Sequence, residues 1–168
     1  WETLRAALFP RLEPGAGDKL LERMTQDGAL AVAGRCLALP TFQVAFTPEQ
    51  EALKDRLYQA CAQEPFAPPE RSGLTKEMGR AKDFQKVLDY LTDEGELVPL
   101  EPDLLFTRKA VEEAEGIFRR LAEADGTVTL AQFRDGIGTS RKYAMALLEY
   151  WDVTGLTKKE GDARRLRR

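Results

Sequence analysis

Hydrophobic residues recur three and four positions apart in three segments of the chain, and each segment ends in a polar stretch and a glycine. This spacing places the apolar side chains on one face of an α-helix, and the glycine is typical of a helix C-terminus. The three apolar faces are Leu20, Leu21 and Met24 before Gly28; Phe84, Val87, Leu88 and Leu91 before Gly95; and Ala144, Leu147, Leu148 and Trp151 before Gly155.

Each glycine is followed by two short runs separated by a turn, a pattern that predicts a two-stranded ribbon. The predicted runs are 30–32 and 36–39, 96–100 and 104–106, and 156–159 and 163–167. Upstream of the second and third amphipathic helices, the pattern predicts helices near 47–62, 69–78, 108–124 and 130–135. It also predicts a short strand at 128–129 and a tight turn at 136–138.

Helix, helix, turn, helix and two-stranded ribbon is the winged-helix arrangement. We therefore predict a mainly α chain with small β ribbons (α+β), built as tandem winged-helix domains. The predicted divisions are a truncated unit at 1–45, a complete domain at 46–108 and a C-terminal domain at 109–168. A single irregular α+β domain is the alternative.

Composition narrows the chemistry available to the chain. It contains no histidine, which excludes a Ser-His-Asp triad, a Cys-His pair and an imidazole-ligated metal. Cys36 and Cys61 form no CxxC motif and are expected to be reduced thiols, as in the cytosol. No nucleophile is paired with a base, so we expect a binding module with no metal and no cofactor of its own.

No segment predicts insertion into a membrane or export. The most apolar stretch, 29–39, contains Arg35 and is too short to span a bilayer. Charged residues at Arg5, Arg11 and Glu13 interrupt the N-terminal apolar run, unlike a signal peptide. The first residue is Trp rather than Met, which suggests a fragment or a processed product, and we expect a cytoplasmic protein without membrane partners.

The net charge of −3 hides an uneven distribution. Residues 1–108 carry a net charge of −5 and residues 109–168 a net charge of +2. After Ile137 there are eight basic and four acidic residues, so the positive charge lies in the last helix-turn-helix and its ribbon. Such a local patch is compatible with a nucleic-acid partner despite the negative sum.

The basic residues occupy positions that favour phosphate binding. The run 138–142 begins the last helix, where free N–H groups and the helix dipole attract anions, and Arg141 and Lys142 oppose that dipole unless an anion is bound. On the ribbon, alternation predicts that Lys159, Arg165 and Arg167 project together. The alternatives are that Ser140 is only an N-cap, that 164–168 is a solvated basic tail and that the nearby aromatic residues belong to the core.

Three runs in this part of the chain resemble the C-terminal end of bacterial SelB, the selenocysteine-specific elongation factor family. They are Gly138-Thr-Ser-Arg-Lys-Tyr-Ala144, Leu147-Leu-Glu-Tyr-Trp-Asp152 and Gly161-Asp-Ala-Arg164, and Phe66-Ala-Pro-Pro69 resembles the family's penultimate module. The family often has arginine where this chain has Lys158 and Lys159, and a branched apolar residue at Glu160. Lysine retains the charge but loses the bidentate geometry.

The resemblance implies an RNA-binding tail of four winged-helix modules, of which this chain holds the last two and part of the second. The partner it implies is the selenocysteine-insertion (SECIS) hairpin of an mRNA, bound by a monomer. The ribosome and selenocysteyl-tRNA, together with GTP and Mg²⁺, would engage the full-length factor, because this chain has no GxxxxGK[ST] run. The implied RNA-binding residues are Thr139, Ser140, Arg141, Lys142, Lys158, Lys159, Arg164, Arg165 and Arg167.

Two other functions remain open from the residues alone. A transcription regulator that binds duplex DNA would place the outer face of 140–151 in a major groove, but that face offers Met145 and Glu149 rather than Arg, Asn and Gln. A protein-interaction tandem would show no salt-dependent RNA binding. A helix start and a basic ribbon fit an RNA hairpin better than duplex DNA. RNA hairpins are recognised through phosphates, 2′-hydroxyls and unpaired bases, because the A-form major groove is too narrow for a helix.

Overall fold

The structure is a computed structural model that describes residues 2–33, 36–42, 44–100 and 103–167. It divides into two compact units, Trp1–Thr47 and Pro48–Arg168. The described residues form eight helices and three small antiparallel sheets, which confirms the predicted α+β class.

The first unit contains two helices and one ribbon. Helices α1 (Glu2–Leu8) and α2 (Pro14–Gln26) precede strands β1 (Ala31–Ala33) and β2 (Cys36–Ala38), which pair antiparallel. Leu21 is fully buried, as predicted, whereas Leu20 is 42% exposed, contrary to the predicted apolar face.

The second unit begins with one helix-turn-helix and ribbon. Its elements are α3 (Pro48–Ala62), α4 (Arg71–Met78), α5 (Phe84–Asp93), β3 (Leu97–Leu100) and β4 (Leu104–Thr107). The predicted apolar face of α5 is entirely buried, and α3 packs against both α5 and β4. Val98 lies opposite Phe106 in the antiparallel ribbon.

A second copy of the arrangement follows and adds a third strand. Its elements are α6 (Arg108–Asp125), β5 (Val128–Thr129), α7 (Leu130–Ile137), α8 (Arg141–Thr154), β6 (Thr157–Glu160) and β7 (Ala163–Leu166). The sheet order is β5-β7-β6, so β7 is the central strand. A reciprocal capping box between Thr129 and Gln132 starts α7 directly after β5.

The turn before α8 is tighter than predicted. Helix α7 continues to Ile137, so Gly136 is helical, and only Gly138 adopts the left-handed conformation, with φ of 66°. A residue other than glycine would be strained there. The last amphipathic helix ends at Thr154 and is capped by Gly155, with φ of 85°, as the sequence pattern predicts.

The two copies in the second unit share one hydrophobic core. The core runs from Val98 and Phe106 in the first ribbon to Phe118, Phe133 and Trp151 in the second copy. The rings of the last three residues lie 5.3–5.7 Å apart, centroid to centroid. Because this core crosses the predicted division at 108 and 109, the division into domains at 1–45, 46–108 and 109–168 stays a prediction.

Cys61 lies in α3 and is fully buried. Burial raises the pKa of its thiol to about 11, because the low-dielectric interior disfavours the thiolate. The side chain of Cys36 lies outside the described part of the chain.

We expect Trp151→Ala to lower the free energy of unfolding by about 3–5 kcal/mol, because it removes a large side chain that is only 1% exposed. Urea denaturation followed by far-UV circular dichroism measures this loss. The control is Val153→Ala on the same helix, where the side chain is 87% exposed and the expected change is below about 0.5 kcal/mol. Equal losses in the two variants would contradict the core described above.

We expect Cys61 to react with a thiol reagent such as DTNB only when the chain unfolds, because its thiol is both buried and protonated near neutral pH. The Cys36→Ser variant leaves Cys61 as the sole thiol, since the sequence has two cysteines. Labelling along a urea titration should follow the unfolding curve. Rapid stoichiometric labelling in native buffer would refute the burial of this residue.

Candidate nucleic-acid interface

The start of α8 presents backbone donors without a side-chain cap. Ser140 occupies the N-cap position in an extended conformation, but its side chain makes no capping hydrogen bond. The prediction that Ser140 caps the helix is therefore wrong for the side chain and correct for the position. The first-turn N–H groups and the exposed Ser140 hydroxyl together form a small positive surface that suits a phosphate.

Two cations flank this helix start, and they have different surroundings. Arg141 is exposed to solvent. Lys142 forms an ion pair with Glu70, the residue that precedes α4, and its Nζ lies 5.7 Å from the centroid of the Tyr143 ring. The hydrogen bond from Glu70 raises the pKa of Lys142, so the ammonium is retained at any physiological pH.

The loop before α8 is attached to the preceding winged helix. The hydroxyl of Thr139 donates a hydrogen bond to the backbone carbonyl of Phe66. The ring of Tyr143 packs edge-on against Phe106 of β4, with centroids 6.3 Å apart. The helix start is thus held by two successive modules, and Thr139 has a structural bond in addition to its predicted role.

The wing, which we define as the β6-β7 hairpin, places its basic residues on two faces. Lys158 lies opposite Arg165, and Lys159 lies opposite Arg164. Because directly opposed residues of an antiparallel pair share a face, the predicted grouping of Lys159 with Arg165 and Arg167 is wrong for Lys159. Lys158 and Arg165 project from the outer face, where Arg165 also forms an ion pair with Glu160.

Arg164 points inward. It is 4% exposed, and its Nε donates a 2.8 Å hydrogen bond to Oδ2 of Asp152 on α8. The other oxygen of Asp152 accepts a 2.7 Å hydrogen bond from the hydroxyl of Thr157, a fully buried residue at the start of β6. The sequence placed Arg164 among surface cations, whereas the structure pairs it inside the module.

Arg167 is exposed, and its Nε donates a 3.0 Å hydrogen bond to the backbone carbonyl of Thr157. Together with Arg165 it lines a shallow groove beside the C-terminal half of α6, where Arg119 adds a third guanidinium. Glu123 also lines this groove, and Glu115 forms an ion pair with Arg119. Arg168 lies outside the described residues.

Sequence reasoning missed Glu70 and Phe66 as contacts of the candidate site. Each is more than seventy positions away from its partner along the chain. The only signal in the sequence was the family-like run 66–69, which marks the segment but not its contact with α8. Tertiary packing of the two modules creates these contacts.

The residues that the structure describes hold neither a cluster of metal-binding side chains nor a membrane-spanning helix. Within that part of the chain, no three Cys, Asp or Glu side chains lie in an arrangement that suits a metal ion. Over the same residues, no helix combines the length and the apolarity needed to cross a bilayer.

Comparisons with known proteins agree with the fold. The family model "Elongation factor SelB, winged helix" matches residues 119–166, from α6 to the end of the wing. The selenocysteine-specific elongation factor of Desulfomicrobium baculatum is 28% identical over 150 residues, 89% of this chain and 24% of the relative. That of Escherichia coli (strain K12) is 27% identical over 167 residues, 99% of this chain and 27% of the relative.

Two solved structures resemble the chain. The mRNA-binding domain of Escherichia coli elongation factor SelB, solved in complex with SECIS RNA, has a TM-score of 0.60 and 27% identity, and the match covers 73% of this chain and all of that one. Bacterial selenocysteine-specific elongation factor EF-Sec has a TM-score of 0.59 at 19% identity, which supports the fold alone. That match covers 90% of this chain and 24% of EF-Sec.

The chain spans about a quarter of the length of the curated relatives that it matches. The family match falls on the module that carries the basic wing and the open start of α8. The chain is therefore similar to the C-terminal winged-helix region of SelB elongation factors.

Proposed function

We propose that the chain binds an mRNA hairpin of the selenocysteine-insertion (SECIS) type through the last winged helix. The observation that carries the proposal is the start of α8, where uncapped backbone donors and exposed Arg141 lie on the module matched by the SelB family. Phosphates of the hairpin would meet these donors. The similar Escherichia coli domain was solved in complex with SECIS RNA, which supports the same partner class for this chain.

The proposed contact residues follow from their exposure. Exposed or half-exposed positions offer a hydroxyl or a positive charge: Thr139, Ser140, Arg141, Lys142, Lys158, Lys159, Arg165 and Arg167. Arg164 is buried against Asp152, so we propose a structural role for it. Phosphate contacts would position the hairpin, and an unpaired loop base is the natural source of sequence preference in RNA.

The wider role belongs to the whole factor. We propose that the chain anchors a selenocysteine-specific elongation factor to its message in the cytoplasm, so that selenocysteyl-tRNA reaches the ribosome at the correct codon. GTP and Mg²⁺ would be bound by parts of that factor outside this chain. The chain itself would bind RNA as a monomer and catalyse no reaction.

Duplex DNA suits the structure less well than RNA. The outer face of α8 offers the exposed carboxylate of Glu149, which would repel phosphates. The sulfur of Met145 lies 3.9 Å from Nη2 of Arg164, so this side chain faces the wing. The comparisons support RNA binding and not a DNA-binding regulator.

We expect Arg141→Ala to weaken binding to an RNA hairpin by about 1–3 kcal/mol, and to reduce the dependence of log K on log salt by about 0.7–0.9, because one phosphate contact is lost. Fluorescence anisotropy at several salt concentrations, with a panel of hairpins that share a stem and differ in the loop, measures both quantities. Competition with duplex DNA of the same stem sequence separates the two nucleic-acid classes.

Arg120→Ala is the matched control for Arg141→Ala, since Arg120 is an exposed arginine of the same module, on α6. The control should change affinity far less than Arg141→Ala does. Equal effects of the two variants would indicate unspecific attraction by net charge and would count against the proposed site.

We expect Glu70→Gln to tighten hairpin binding about two- to fivefold, because an exposed ion pair of modest strength no longer competes with phosphate for Lys142. The salt dependence should become steeper, since the freed ammonium can neutralise a phosphate. Glu77→Gln, the same change at an exposed residue near the other end of α4, should have little effect. Weaker binding by Glu70→Gln would argue that Glu70 supports the site.

A further inference from the structure

Three polar side chains join α8 to both strands of the wing, and we call them the Arg164 node: Arg164, Asp152 and Thr157. Arg164 is 4% exposed and Thr157 is fully buried. The carboxylate of Asp152 accepts from Arg164 Nε at 2.8 Å and from Thr157 Oγ1 at 2.7 Å, one bond on each oxygen. The Asp152 side chain retains 25% of its exposure.

The node is a poor means of stabilising a module and a good means of fixing geometry. Removing two opposite charges from water costs about as much as their attraction returns, and an apolar pair of similar volume is often as stable. A carboxylate that receives one directed bond on each oxygen, however, allows few relative positions of its donors. Here the donors lie on β6 and β7 and the acceptor on α8, so the node sets the angle of the wing against the helix.

The inward direction of Arg164 determines where its neighbours point. Successive strand residues face opposite sides, so Arg165 projects outward, level with Lys158 across the ribbon. Helix α8 carries the other half of the candidate interface at its N-terminus. A wing that rotated against α8 would therefore separate the outward cations from the phosphate site at the helix start.

We propose that Asp152 and Arg164 are positioning residues for RNA binding, which act by holding the wing against α8 and not by contacting RNA. This inference rests on the proposed function. It predicts that removal of a negative charge weakens RNA binding, which is the opposite of the effect expected for an acid in an anion-binding module. If Asp152 acted only through its charge, neutralising it would strengthen RNA binding, whereas a positioning role requires that its neutralisation weakens binding.

The test compares Asp152→Asn with Glu149→Gln in the full chain, using the same hairpin panel and salt titration. Glu149 is an exposed acid three residues earlier on α8, so both variants remove one negative charge from one helix. In Asp152→Asn the amide brings its own donor to a site that already holds two donors, so the node cannot be satisfied. We expect about tenfold weaker binding for Asp152→Asn, comparable to the loss of a nucleic-acid contact, and equal or tighter binding for Glu149→Gln.

The salt dependence gives a separate readout of the position of the wing. The slope of log K against log salt should become shallower in Asp152→Asn, because displaced wing cations neutralise fewer phosphates, and it should not become shallower in Glu149→Gln. Thermal unfolding by circular dichroism shows whether the variant is folded at the temperature of the assay. If it is not, Thr157→Val replaces it: this variant removes one hydroxyl at constant charge and volume, and we expect about threefold weaker binding, as for the loss of part of one contact.

Two outcomes overturn the inference. One is affinity equal to or above wild type in folded Asp152→Asn, or in Thr157→Val where that variant replaces it. The other is an equal loss of affinity in Glu149→Gln. Failure of the proposed function is a different result, in which the wild-type chain shows no salt-dependent binding to any hairpin of the panel.

Discussion

Burial of one face of α8 is the constraint on which the second unit depends. Trp151, 1% exposed, meets Phe118 of α6 and Phe133 of α7, so a single residue joins all three helices of the last winged helix. The same helix presents its N-terminus to solvent and its last turns to the wing. Because interiors are close-packed, this aromatic contact near the C-terminal end of α8 fixes the helix and, with it, the position of the candidate phosphate site at the other end.

The periodic features of the chain were predictable because they depend on local chemistry. Apolar spacing and a terminal glycine specify where the helix before each ribbon lies, and the structure has Gly95 and Gly155 in the required left-handed conformation. In the wing, alternation of residues along each strand was not enough to predict which cations lie on the same face. Which residues of β6 and β7 share a face depends on the register, and the two-residue turn at 161–162 pairs Lys158, not Lys159, with Arg165.

The charged residues were harder to assign, because their roles depend on distant partners. Arg164 and Arg165 are adjacent and chemically identical, yet one is paired with Asp152 inside the module and the other lies on the outer face. Lys142 meets Glu70 only because the two winged helices of the second unit pack together. A sequence reports the number of cations in a segment, whereas burial and pairing determine which of them remain available to a phosphate.

The uneven charge of the chain acquires a physical meaning from these contacts. Residues 1–108 carry a net charge of −5, and one of their carboxylates, on Glu70, is paired with a cation of the candidate site. Sequence-independent affinity for nucleic acid grows with the number of phosphates that a protein neutralises. A carboxylate at the edge of the site lowers that general affinity, while directed donors at the start of α8 still favour a correctly placed phosphate. Within the proposed function, the Glu70 carboxylate would thereby shift the balance from attraction to any polyanion towards recognition of a particular RNA shape.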